Sequence, residues 1–197
     1  MKKKSFNEKY EKKVKKIDKI PKRYVDFKWV ITISICAFLM SIIFSSITET
    51  VVPRLNALVG IILVLFIIII GVMFDMVGVA VTAADLKPFN SMATKKIRGS
   101  KTAIFLIQNA EKVSAFCNDV VGDVCGIISG SVGVLISLVV SSELNLNNSV
   151  VSLVLTAVIA ALTIGGKAMG KSYAINKSDV IIFRFSKIVC FFKREAK

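Results

Sequence analysis

Three carboxylates, Asp75, Asp119 and Asp123, lie in or at the edge of apolar runs long enough to cross a membrane, and Lys167 and Lys171 close a third such run. A carboxylate inside hydrocarbon costs roughly 2.5–3.5 kcal/mol on insertion scales, so such a group marks a functional site by default. Two chemistries suit this set. One is a hard oxygen site for a partly hydrated Mg²⁺, with metal ligands drawn from Asp75, Asp123, Asp119 and Asn118, since that ion prefers one or two carboxylates plus water. The other is an ion pair in which Lys167 or Lys171 supplies the positive charge. Asp119 and Asp123, four positions apart, share a face of an uninterrupted α-helix, and Asp75 reaches them if its span packs alongside.

Catalysis is not indicated. The chain has no histidine, which removes imidazole bases, His-based zinc sites and Ser-His or Cys-His pairs. Neither a Gly-rich phosphate loop nor a nucleophile–base set is present, so no enzyme and no catalytic residue is expected. The cysteines Cys36, Cys117, Cys125 and Cys190 form no CxxC pair and read as reduced packing residues.

The elements that must position the charges are transmembrane helices. With 54% hydrophobic residues in 197, the expected fold class is an all-α integral membrane protein, multi-pass in the cell membrane. Four spans are predicted: about Trp29 to Ile47, Ala57 to Ala84, Val113 to Val140 and Val150 to Gly166, with Trp29 and Tyr24 as interfacial anchors. Lys167 and Lys171 mark the exit of the last. Every one of the 27 basic residues except Arg54 falls on one side of these spans, which predicts both termini in the cytoplasm. Residues 91–111 and 179–192 alternate apolar and basic residues and read as amphipathic juxtamembrane helices.

The formal charge of +14 follows the same logic. Residues 1–28 hold twelve lysines and arginines against Glu8, Glu11, Asp18 and Asp26, immediately before the first span. That placement predicts binding to anionic lipids and no nucleic-acid partner. In the third span, Gly122, Gly126 and Gly130 form a G-x-x-x-G-x-x-x-G row, which lets another backbone approach closely for helix packing. The partner is either a helix of the same chain or a second protomer in a homodimer.

The order of these segments resembles the transmembrane domain of the cyclin-M/CorB/CorC magnesium transporters. Val79-Ala80-Val81-Thr82-Ala83 is similar to the end of that family's first core span, and Asn109-Ala110-Glu111-Lys112-Val113 to its Asn-Pro-Glu-Arg-Leu-like signature. Gly122-Asp123 stands where Gly-Asn would, and Gly166-Lys167-Ala168-Met169-Gly170-Lys171-Ser172-Tyr173-Ala174 keeps the spacing of Gly-Glu-x-x-Pro-Lys-x-x-Ala. The resemblance covers residues 57–192, leaving 1–28 as a basic segment and 29–48 as an additional span. It implies a divalent-cation transporter, without the paired cytoplasmic nucleotide-sensing domains that many members carry.

Departures fall on the ligand positions that the resemblance implies. The family's Ser stretch becomes Phe74-Asp75-Met76-Val77-Gly78, its Asn becomes Asp123 or Asn118 depending on a gap, its Glu becomes Lys167 and its Pro becomes Gly170. Two readings stay open. Either the acids hold a transported Mg²⁺ while Lys167 points away or acts as a gate, or Lys167 neutralises the acid cluster in place of the ion in a non-transporting scaffold or regulator.

Overall fold

The computed structural model describes residues 26–192, and every element among them is helical. Tyr24 and nearly all of the basic segment 1–28 lie outside the described residues. The chain divides into two units, Met1–Thr32 and Ile33–Lys197. In the first, the Asp26 carboxylate accepts the Trp29 N–H at 3.3 Å where helix α1, Phe27–Val51, begins.

Long helices follow from the composition. Residues such as Ile67-Ile68-Ile69-Ile70 have mediocre helix propensity in water. In hydrocarbon, though, every backbone N–H and C=O must be satisfied within the segment, and a helix does this. Among the described residues, four helices are long and apolar enough to cross a membrane: Phe27–Arg54, including a short 3₁₀ turn at Val52–Arg54, then Ala57–Ala83, Ala110–Leu144 and Asn148–Asn176. The chain is therefore an all-α membrane protein.

The second unit is built on three of these. Helix α2, Ala57–Ala83, packs against α6, Asp123–Leu144, and α7, Asn148–Asn176, which also pack on each other. Between α2 and α6 come α3, Leu86–Thr94, α4, Ser100–Gln108, and α5, Ala110–Ala115, followed by a π-helical segment, Phe116–Gly122, that runs into α6. Helix α8, Ser178–Phe192, follows α7 after Lys177.

Two apolar cores result. One joins Val64 and Ile68 of α2, Val124, Ile128, Val132 and Ile136 of α6, and Ile159 of α7. The other joins Ala80 and Val81 of α2 to Phe89, Ala103 and Leu106 of α3 and α4, Ala174 of α7 and Ile182 of α8. Along α6 a second buried line runs Ser129, Gly133, Ser137 and Ser141. These hydroxyls are tolerated in the interior because each donates to its own helix, as Ser129 does to Cys125 O at 2.7 Å.

Several sequence expectations shift. The amphipathic stretch 91–111 is divided by a turn at Lys96 and Gly99, whose φ values are 54° and 90°. The left-handed backbone at Gly99 suits a residue without Cβ. Helix α7 continues to Asn176, so it runs on past Lys167 and Lys171. The glycine row of the third span separates: Gly122 is packed against Asp75, whereas a Cβ on Gly126 or Gly130 would meet nothing within 4 Å. A side chain at either position would project into open space among the described residues. Packing contacts come instead from Gly133 against Ile159, Gly166 against Val72, and Gly170 against Met76.

This division predicts opposite responses to a large side chain. Gly133→Leu should lower unfolding stability in detergent by roughly 1–3 kcal/mol through overpacking, whereas Gly126→Leu and Gly130→Leu should stay within roughly 0.5 kcal/mol of the parent. Equal losses at all three positions would contradict the packing described.

Candidate charge cluster

Asp75 is buried on α2, and Lys167 of α7 reaches across to it. The Lys167 Nζ lies 3.3 Å from Asp75 Oδ2 and donates a hydrogen bond to Asp123 Oδ1 at 3.1 Å. One ammonium thus bridges carboxylates from two other helices. Side-chain exposure is graded: 5% for Asp75, 19% for Lys167 and 65% for Asp123. With all three ionised the set carries one net negative charge, on the side where Asp123 opens outward.

Helix geometry explains the meeting. Counted from the end where α6 turns into α7, the charges lie at one level: roughly 27 Å along α2 from Ala57, 32 Å along α6 from Leu144 and 29 Å along α7 from Asn148, at 1.5 Å per residue. That depth matches the hydrocarbon thickness of about 30 Å. Asp75 and Lys167 also fall between the two apolar cores, with Val64 and Ile68 on one side and Ala80 and Ala174 on the other.

Room for the acid comes from glycine. A Cβ on Gly122 would collide with the Asp75 carboxylate, and one on Gly78 would collide with the Asn118 amide. Asp75 and Gly78 lie one turn apart on α2, while Gly122 and Asn118 lie about one turn apart on the π segment that faces it. Each helix therefore sets a polar side chain into a glycine notch of the other. Close approach of this kind is what small residues permit between membrane helices.

The π segment decides what happens to the remaining candidates. Its bonds run from i to i+5, so it widens the helix and breaks the count that placed Asp119 with Asp123. Asp119 is exposed and joins neither Asp75 nor Lys167. Asn118 Nδ2 donates to Ser114 Oγ at 3.2 Å, and its Oδ1 is buried with no hydrogen-bond partner. Lys171, one turn beyond Lys167, is exposed and makes no ion pair with either carboxylate. Gly78, Gly166 and Gly170 were missed as packing residues; the Gly166-x-x-x-Gly170 spacing was the available signal.

A Mg²⁺ ion bridging Asp75 and Asp123 would compete with Lys167 for the same place. It binds carboxylate oxygen at about 2.1 Å, and a bridging ion would have to stand where the Lys167 ammonium is. No family model, curated protein or solved structure matches the chain.

Removing one member of the cluster should therefore cost according to burial. Lys167→Met leaves Asp75 as an uncompensated buried charge and should lower unfolding stability by about 3 kcal/mol. Asp123→Asn removes an exposed partner and should cost less than about 1 kcal/mol. Gly122→Ala, which displaces the Asp75 carboxylate, should destabilise as Lys167→Met does. Chemical unfolding in detergent micelles gives all three values, and an Asp123→Asn loss equal to that of Lys167→Met would refute the grading.

Proposed function

We propose that this protein is a multi-pass cell-membrane component that does not conduct ions, a scaffold or regulator in which Lys167 neutralises the buried acid in place of a metal. The observation that carries this reading is the Lys167 Nζ bridging Asp75 and Asp123 at 3.3 and 3.1 Å. Intramembrane charges persist when they pair, and a tethered cation satisfies Asp75 permanently. In the similarity to cyclin-M/CorB/CorC membrane domains, the family's ligand Glu is replaced by this lysine. The proposal therefore keeps that family's helical layout and gives up its ion.

Orientation completes the reading. Basic residues gather at the end where α2 runs into α3 and α7 into α8, and the positive-inside rule puts that end, with both termini, in the cytoplasm. Asn145, whose φ is 52° in the tight turn between α6 and α7, then faces the outside. The charge cluster sits at the cytoplasmic edge of the hydrocarbon, where Asp123 reaches headgroups or water. The basic segment 1–28 attracts anionic lipid from the same side.

Divalent-cation transport is the competing reading. What favours it is the buried, partnerless Asn118 Oδ1 beside Gly78, a neutral oxygen near the level of the acids. It requires Lys167 to leave both carboxylates.

Reconstituted vesicles loaded with a Mg²⁺-sensitive dye separate the two. The expected result is no flux above protein-free vesicles. Flux in the parent protein that Asp75→Asn abolishes would establish transport and end the closed-cluster reading. For orientation, Asn145→Cys should react with an impermeant maleimide on intact cells, and Lys96→Cys only after permeabilisation. The reverse pattern would overturn the topology.

A further inference from the structure

We infer that α8, together with the adjoining start of α4, is an interaction surface that rests on the acidic lipid headgroups of the leaflet nearest the charge cluster. This rests on the membrane topology and not on whether the cluster is closed, so either can fail alone.

Helix α8 has two unlike faces. Ile182, Ser186 and Cys190 recur every four residues and are buried. On the opposite side Val180, Arg184, Lys187, Ile188 and Phe191 form an exposed stripe. Val180 is 48% and Ile188 56% exposed. This stripe contains large apolar residues and two cations, with no acid.

A helix that only capped the bundle in water would turn a polar stripe outward, and α3 in the same layer does so. Its exposed positions are Lys87, Asn90, Ser91 and Thr94. The contrast between two helices of one layer distinguishes a water-facing side from a lipid-facing one. An apolar stripe edged by Lys and Arg is the pattern of helices that lie in the headgroup region, where the chains bury and the charges meet phosphates.

Neighbouring geometry extends the surface. A Cβ on Gly99 would lie 3.2 Å from Ser186 Oγ and 3.3 Å from Lys187 Cγ, so the start of α4 abuts α8 at its basic middle. That places the exposed Arg98 and Lys101 near Lys187 along the chain of contacts. The Lys187 Nζ lies 4.3 Å from the Phe183 ring centroid, its stem lying along the helix with the charge at the surface. Only Lys177 separates α8 from α7, which holds it close to where that span leaves the hydrocarbon. The occupant that meets apolar contact and positive charge at this depth is an anionic leaflet.

The test uses full-length protein in nanodiscs. Trp29 is the chain's single tryptophan, so Trp29→Phe combined with Ile188→Trp gives one reporter on α8, and Trp29→Phe with Asn90→Trp gives the control on α3. Lipids brominated near the headgroup should quench the reporter at 188 and leave that at 90 open to aqueous acrylamide. Brominated phosphatidylglycerol diluted into neutral lipid should be enriched around position 188, and Arg184→Gln with Lys187→Gln should reduce that enrichment by about fivefold per charge. Acrylamide quenching at 188 equal to that at 90 would overturn the proposal. So would shielding of 188 from both quenchers, which would mean that protein, including a second copy, covers the stripe. Equal quenching by neutral and acidic brominated lipid, unchanged in the Gln variants, would overturn the preference for anionic headgroups.

Discussion

A buried carboxylate on α2 can exist in this fold only because a lysine from α7 reaches it. Asp75 is 5% exposed at its side chain, and Lys167 comes within 3.3 Å of it while also holding Asp123 of α6. Charge taken out of water must be paired. That demand fixes the relative height of three helices that hydrophobic packing alone would leave free to slide, since lipid tails solvate Leu and Ile as well as another helix does. The two apolar cores then close on either side of the level that the ion pairs set.

Pairing at this distance needs backbones that approach closely. The notches at Gly122 and Gly78 receive Asp75 and Asn118, and Gly166 and Gly170 seat α7 against Val72 and Met76 of α2. The π segment Phe116–Gly122 supplies the remaining adjustment. It ends at Gly122, so Asp123 begins α6 facing Lys167 while Asp119 stays exposed. Wide turns of this kind gather at functional sites because they re-aim side chains without ending a helix. The same level lies about one hydrocarbon thickness from the α6–α7 turn, which lowers the cost of Asp123 and leaves Asp75 as the charge that depends on its partner.

Much of this was legible from composition and spacing. Runs of Ile, Val and Leu define the spans, and the opposing charges of Asp75, Asp123 and Lys167 mark the cluster before any coordinates. The π segment was not legible, because residues 116–122 have the same apolar pattern that a regular helix would carry; Asp119 was therefore placed with Asp123. Lys167 reads as an exit charge, which its level near the edge of the hydrocarbon suits; that it also reaches acids on two neighbouring helices depends on a register that spacing along one helix does not give. Gly122, Gly126 and Gly130 stand out in the sequence more than Gly78, but spacing along one helix cannot say which glycines face a neighbour. That depends on the register of the other helix, which the ion pairs decide.

The most direct measurement is a double-mutant cycle on unfolding in detergent with Asp75→Asn and Lys167→Gln, singly and together. If the lysine stabilises the fold by pairing with the buried acid, the double variant should lose less than the sum of the single losses, with a coupling of about 1–2 kcal/mol. Additive losses would show that the two charges act independently and would contradict the account.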